Sequence, residues 1–256
     1  NDYLINEILQ RKNYIIRKSV NLSKQVHIIA SNIDQAFLIV TLVSPFTSTG
    51  FIDRFLVTAE AYQVPIIIVF NKVDLYDEFD RAYHDEVVKM YSDVGYECIE
   101  VSALNQQNMN LLKERMKDNV TLLSGHSGVG KSTLVNSIDP NLDLLTQQVS
   151  DAHQKGMHTT TFAEMFELDF GGFIIDTPGI KGLGLVEIDD SELADYFPEM
   201  LACKGQCKFH NCKHVNEPKC AVKNALDAGK IHLVRYDSYI SILEDDGNQY
   251  RESKYH

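Results

Sequence analysis

The sequence predicts an α/β protein with a mostly parallel sheet, and three features of the chain carry that expectation. Continuous apolar runs at residues 36–43, 66–70, 97–101, 120–123 and 173–176 have the length of strands buried on both faces. Stretches with helical periodicity lie between them, at residues 52–62, 79–94, 109–117 and 131–137. A glycine-rich loop, Gly125-His126-Ser127-Gly128-Val129-Gly130-Lys131-Ser132, joins the run at 120–123 to the helix that starts at Lys131. Strands and helices that alternate in this way stack as helices on both faces of one sheet.

Taken in order, residues 15–19 and 26–30 read as two short strands, too few to make a domain, so residues 1–29 are assigned to the tail of a preceding one. The alternating sheet and helices occupy residues 30–197, and residues 161–168 alternate apolar and polar side chains like an edge strand. Residues 198–256 form a third unit, with helices at 220–228, stopped by Gly229, and at 231–243. The polar end from residue 244 is expected to fray, and there is no internal repeat.

The formal charge is −12, distributed as +3 over residues 1–29, −17 over 30–200 and +2 over 201–256. Two basic flanks around an acidic middle suit polyanion contacts at the ends, although solvated surface charge gives the same pattern. No apolar run approaches the roughly 20 residues of a membrane helix, and no cationic start precedes an apolar segment. A monomeric cytoplasmic protein without a membrane partner is expected. The first residue is Asn1 rather than Met, so an upstream segment is left open.

The glycine-rich loop points backbone N–H groups at phosphate oxygens, Lys131 neutralises them, and the Ser132 hydroxyl, followed by Thr133, can ligate Mg²⁺. Such a loop does not choose between ATP and GTP. Asn71-Lys72-Val73-Asp74 supplies the choice, at a strand end where open α/β sheets bind ligands. Guanine offers N1–H and a 2-amino group to one carboxylate, Asp74. Adenine lacks that pair and would leave the carboxylate unmatched, which disfavours an ATPase or kinase. Asn71 is expected to brace neighbouring loops and Lys72 to lie along the base plane. Ser102-Ala103-Leu104 follows another strand, where a backbone N–H can reach guanine O6. Asp176-Thr177-Pro178-Gly179 brings a carboxylate towards Mg²⁺ and the Gly179 N–H towards the γ-phosphate, and His158-Thr159-Thr160-Thr161 offers a hydroxyl ligand for the metal.

Of five cysteines, four lie between Cys203 and Cys220. Cys207, Cys212, His214 and Cys220 give the spacing C-x4-C-x-H-x5-C, a closed set suited to structural Zn²⁺, with Cys203 and His210 as rival ligands. Cys98 reads as a small buried apolar residue. Lys208, Lys213, Lys219, Lys223, Lys230 and Arg235, with Phe209, Tyr236 and Tyr239, offer charge and stacking surface to RNA, the lysines more than the tyrosines, because aromatics at helical spacing more often serve the core.

In this order of motifs, with the base-reading tetrapeptide upstream of the phosphate loop, the chain resembles the RsgA (YjeQ) family of circularly permuted GTPases. Arg11-Lys12-Asn13, Arg17-Lys18, Ser31-Asn32-Ile33-Asp34, the segments above and the cysteine-rich tail carry the resemblance over nearly the whole chain. The resemblance implies an OB-fold β-barrel remnant in residues 1–29, a circularly permuted P-loop GTPase domain in 30–197 and a zinc-binding helical domain in 198–256. It implies GTP and GDP as ligands, one structural Zn²⁺ on the Cys₃His set, and the small ribosomal subunit with its rRNA as partner and as stimulus for hydrolysis. Met157 departs from the Arg often found before the His. Ile180 follows Gly179, and a branched alkyl group cannot orient water, so His158 is the candidate catalytic group, as the resemblance also implies; packing beside Thr159 is its structural alternative. Thr160 is preferred to Thr159 as Mg²⁺ ligand. The segment after Gly179 runs on into the C-terminal unit, so nucleotide state is expected to reorient that unit. A different reading is an RNA-binding zinc protein that senses guanine nucleotide without useful turnover.

Overall fold

The computed structural model describes residues 6–18, 26–142, 164–176 and 188–245. Six strands form one sheet: β3 (Gln35–Val40), β4 (Ile66–Phe70), β5 (Glu97–Glu100), β6 (Val120–Ser124), β7 (Glu164–Glu167) and β8 (Phe173–Asp176). Their spatial order is β5-β4-β3-β6-β8-β7. The first five are parallel, and β7 closes the edge antiparallel to β8, where the alternating pattern at 161–168 placed an edge strand.

Side-chain alternation along β3 shows why the strands read as unbroken apolar runs. Ala36, Leu38 and Val40 enter one core, beneath α1 (Thr49–Ala61) and α2 (Glu78–Asp93). Phe37 and Ile39 enter the other, beneath α3 (Met109–Met116) and α4 (Lys131–Ile138). Both faces are covered, so both parities must be apolar. Ser48 caps α1 by accepting from the Phe51 N–H at 3.3 Å, and Asp77 and Asp80 form a reciprocal capping box on α2.

Ahead of the sheet, β1 (Tyr14–Lys18) and β2 (Val26–Ser31) make an antiparallel two-stranded ribbon. Asn13 fastens it to the amino end of β3, donating to Ile33 O at 2.7 Å and accepting from Ile33 N at 2.8 Å. Lys12 adds an ion pair with Asp34 at 2.9 Å. After the sheet come α5 (Pro198–Leu201), α6 (Ala221–Asp227) and α7 (Leu233–Leu243). Their core of Leu193, Phe197, Met200, Val222, Ile231, Tyr239 and Ile242 includes Val57 from α1, so this unit is packed directly on the sheet domain's first helix.

Candidate nucleotide-binding site and cysteine–histidine cluster

The carboxyl ends of β3, β4, β5, β6 and β8 lie along one edge of the sheet, and the sequence motifs emerge there. The phosphate loop leaves β6 at Gly125 and enters α4 at Lys131. Two of its glycines are sterically required. A Cβ on Gly125 would run into Ile39 O, and one on Gly130 would sit 2.5 Å from Asn71 Nδ2. Asp176 is in register with Leu123, which places the end of β8 beside the root of the loop.

Asn71 holds three loops together. Its Nδ2 donates to Val129 O in the phosphate loop at 2.8 Å, its Oδ1 accepts from the Ala103 N–H at 3.2 Å, and the side chain is fully buried. Lys72, held at a left-handed φ of 64°, extends its ammonium to Gly128 O at 2.7 Å and Ser44 O at 2.6 Å. Its stem thereby spans the distance from base loop to phosphate loop, as a platform along a base plane requires. Val73 is buried and Asp74 exposed in the next turn, so the carboxylate is presented to solvent at the strand end. Ser102 is buried and accepts from the Asn105 N–H at 3.0 Å, shaping its loop. Lys131 donates to Gly125 O at 2.6 Å and His126 O at 2.8 Å, within its own loop. Ser132 and Thr133 are exposed on the first turn of α4.

In the C-terminal unit, Cys207, Cys212, His214 and Cys220 bring one ligand atom each to within 4.8 Å of one another. His214 Nδ1 is 3.3 Å from Cys220 Sγ and 3.7 Å from Cys207 Sγ. Ala221 N–H donates to Cys207 Sγ at 3.2 Å and Lys223 N–H to Cys220 Sγ at 3.5 Å, the backbone donors that thiolates need. Burial and the neighbouring Cys207 and Cys220 push the Cys212 thiol up to about 12, so its thiolate form calls for a cation beside it. Three sulfurs and one imidazole at these separations fit tetrahedral Zn²⁺. The rivals Cys203 and His210 lie outside the set.

A model of the RsgA GTPase family matches residues 8–186. The chain belongs to that family. Among curated RsgA-family relatives, a protein of Christiangramia forsetii named small ribosomal subunit biogenesis GTPase RsgA is 55% identical over 252 residues, covering 98% of this chain and 80% of its own length. One of the same name from Flavobacterium psychrophilum is 55% identical over 254 residues, covering 98% of this chain and 77% of its own. Of solved structures, YjeQ from Thermotoga maritima superposes with a TM-score of 0.78 at 37% identity, over 95% of this chain and 78% of that one. YloQ, described as a circularly permuted GTPase, gives 0.73 at 29% identity over 97% and 76%.

Within this RsgA-family fold, Asn71, Lys72, Val73, Asp74, Ser102, Ala103, residues 125–133 and the end of β8 converge on one edge. His158, Thr159, Thr160 and Gly179 lie outside the described residues. Two members of the expected RNA surface are corrected. Arg235 is fully buried in ion pairs with Asp53 and Glu199, and Tyr239 is fully buried with its hydroxyl on Lys213 O, so neither faces a partner. Lys208, Lys213, Lys219 and Lys230 are exposed. Sequence reasoning also missed the loop between β3 and α1. Ser44 O receives Lys72, the Pro45 ring lies 3.5 Å from where a Gly128 Cβ would be, and Phe51, just past the loop on α1, packs tilted on His126 with centroids 3.6 Å apart. No motif marks that loop; the only signals were Pro45 and the cap residue Ser48.

Proposed function

We propose that this RsgA-family GTPase is an assembly factor of the small ribosomal subunit: it binds GTP·Mg²⁺, hydrolyses it faster on the subunit, and couples nucleotide state to flanking domains that contact rRNA. The observation that carries the nucleotide half is Asn71, whose single side chain bonds both the phosphate loop and the 102–104 loop. A site braced in this way holds its base-reading and phosphate-binding parts in fixed relation, which is what recognition of one guanine nucleotide demands. The names of the relatives support the ribosomal half.

In this reading Asp74 accepts from guanine N1–H and the 2-amino group, Lys72 lies along the base, and a backbone N–H of the loop from Ser102 reaches O6. The loop amides and Lys131 take the phosphates. Ser132 and Thr160 would hold Mg²⁺, which would supply positive charge against the negative charge that develops on the phosphates. His158 orients water and Gly179 N–H receives the γ-phosphate. One Zn²⁺ on Cys207, Cys212, His214 and Cys220 serves folding, because four protein ligands leave no position for substrate. Residues 1–29 are the end of an OB-fold barrel, residues 30–197 the GTPase domain and residues 198–256 the zinc domain. The protein acts in the cytoplasm as a monomer, and among the described residues no helix is long and apolar enough to cross a membrane.

Single-turnover GTP hydrolysis with and without purified small subunits tests the proposal. Acceleration by subunits is expected, and loss of that acceleration in His158→Ala with GTP binding retained. Equal rates with and without subunits would reduce the nucleotide to a bound sensor.

A further inference from the structure

Helix α2 buries His84, Val87, Met90 and Tyr91, yet the flank of that face towards its amino end carries exposed aromatic side chains. Phe79 is 86% exposed and Tyr83, one turn on, 38%. Phe46, from the loop between β3 and α1, is 57% exposed and lies 6.3 Å from the Tyr83 ring. Three large side chains from two segments thus share one solvent-facing patch, which ordinary surface composition does not explain.

The rim around the patch is acidic. Asp77, Glu78 and Glu86 are exposed on the same helix and its cap, Glu86 one turn on from Tyr83, and Asp74 lies one turn upstream. The cations nearby are engaged: Arg81 pairs with Glu100 at 2.7 Å and Lys89 with Asp93 at 2.5 Å. A phosphate backbone would be repelled by this rim. A second copy of the chain would set acid against acid across a two-fold contact. The β1–β2 ribbon joins the sheet at the amino ends of its strands, whereas this patch lies among loops at the carboxyl ends. A basic polypeptide with apolar side chains matches both the patch and its rim.

We propose that Phe46, Phe79 and Tyr83 form a docking surface for a Lys/Arg-rich protein of the small subunit, placed beside the loop that carries Asp74. The inference rests on the assembly-factor reading, which supplies the class of partner. Aromatic anchors inside a charged rim are the usual arrangement of an interface whose centre provides affinity and whose edge selects the partner.

The test places the photo-reactive aromatic p-benzoylphenylalanine at position 79 of the full chain, bound to purified small subunits with a non-hydrolysable GTP analogue. The expected product is a covalent link to a subunit protein through a Lys/Arg-rich peptide. Phe79→Asp combined with Tyr83→Asp should weaken subunit binding by about tenfold or more while hydrolysis without subunits stays unchanged. Glu86→Lys should weaken binding as well, since it removes rim complementarity. Links only to RNA or to a second copy, no link while the chain co-sediments with subunits, or tighter binding by Glu86→Lys would each overturn the docking surface. Failure of the unmodified chain to co-sediment at all would instead remove the assembly-factor reading, and this inference with it.

Discussion

Asp53 Oδ1 and Arg235 Nη1 lie 2.6 Å apart with both side chains fully shut off from solvent, a contact between residues 182 positions apart in the chain. Tyr91 donates to the same carboxylate oxygen at 2.9 Å. The other edge of the guanidinium grips Glu199 at 2.7 and 3.1 Å, and its face lies 4.7 Å from the Phe197 ring centre. Burial raises the Asp53 carboxyl while the Arg235 charge opposes that rise, and the desolvated cation holds the two carboxylates in place. Two residues before Asp53 on α1, Phe51 packs on His126 of the phosphate loop. One helix therefore touches both the nucleotide loop and the C-terminal unit, a physical link separate from the chain segment that follows Asp176.

Removing one member of such a group leaves buried charge without compensation. Arg235→Met should destabilise the protein by ~3–5 kcal/mol in chemical denaturation. Adding Asp53→Asn to that variant removes one orphaned carboxylate and should recover part of the loss. A double-mutant cycle with no coupling between positions 53 and 235 would show that the pair contributes no specific stability.

Base selection predicts an exchange of specificity at Asp74. A carboxylate accepts two hydrogen bonds from guanine, whereas an asparagine side chain offers one acceptor and one donor, matching xanthine with its N1–H and C2 carbonyl. Asp74→Asn should weaken GTP binding by about a hundredfold or more, as expected for losing a charge-assisted pair of bonds, and should gain binding to xanthosine triphosphate. Competition titration with the two nucleotides reads both changes. Unaltered preference for GTP would place the base elsewhere.

How far the sequence led is visible residue by residue. The strands of the sheet were legible because both faces are covered, so parity carries no polar interruption; β4 ends at Phe70 as the apolar run did. The Cys₃His set was legible because ligand spacing is a covalent constraint, and all four ligand atoms meet. Arg235 was misread because a lone cation on a helix looks the same in sequence whether it faces solvent or, as here, two carboxylates contributed by α1 and α5. Its partner Asp53 sits among apolar neighbours on α1 and is buried only because α7 arrives from far along the chain. The Ser44 contact with Lys72 was invisible for a related reason: a backbone carbonyl is an acceptor whatever its side chain, so no residue type announces it.

His126 makes a pH prediction. Burial, and then the nearby Lys131 charge, hold its imidazole below the ordinary 6.5. The unfolded chain takes up the proton first, so the stability this group contributes is complete above 6.5 and is lost as pH falls through the lowered value. Between about pH 7 and about pH 5.5 the thermal midpoint should fall more steeply for the native chain than for His126→Gln. Parallel profiles would mean that His126 keeps access to a proton in the folded state.

Glu217 links the metal cluster to its own loop. One carboxylate oxygen accepts from the Lys213 N–H at 2.8 Å, and the other from Val215 at 2.9 Å and Asn216 at 3.1 Å, on both sides of His214. Burial alone would raise this carboxyl, but the backbone donors outweigh it and hold it below its ordinary range. Glu217→Gln keeps the size and turns one acceptor into an NH₂ facing backbone donors, so the loop loses its fit around His214 while every metal ligand remains. Zinc retention against a competing chelator should weaken by about tenfold, the scale of lost second-layer support. Complete chelation should go further: Cys220 caps α6 and belongs to the core that seats α7, so metal loss should lower helical circular dichroism and loosen the Arg235 contact with Asp53. Arg235→Met, by contrast, should leave initial zinc affinity near native, because it touches no ligand. Zinc release from Glu217→Gln at the native rate would assign the carboxylate to loop shape alone.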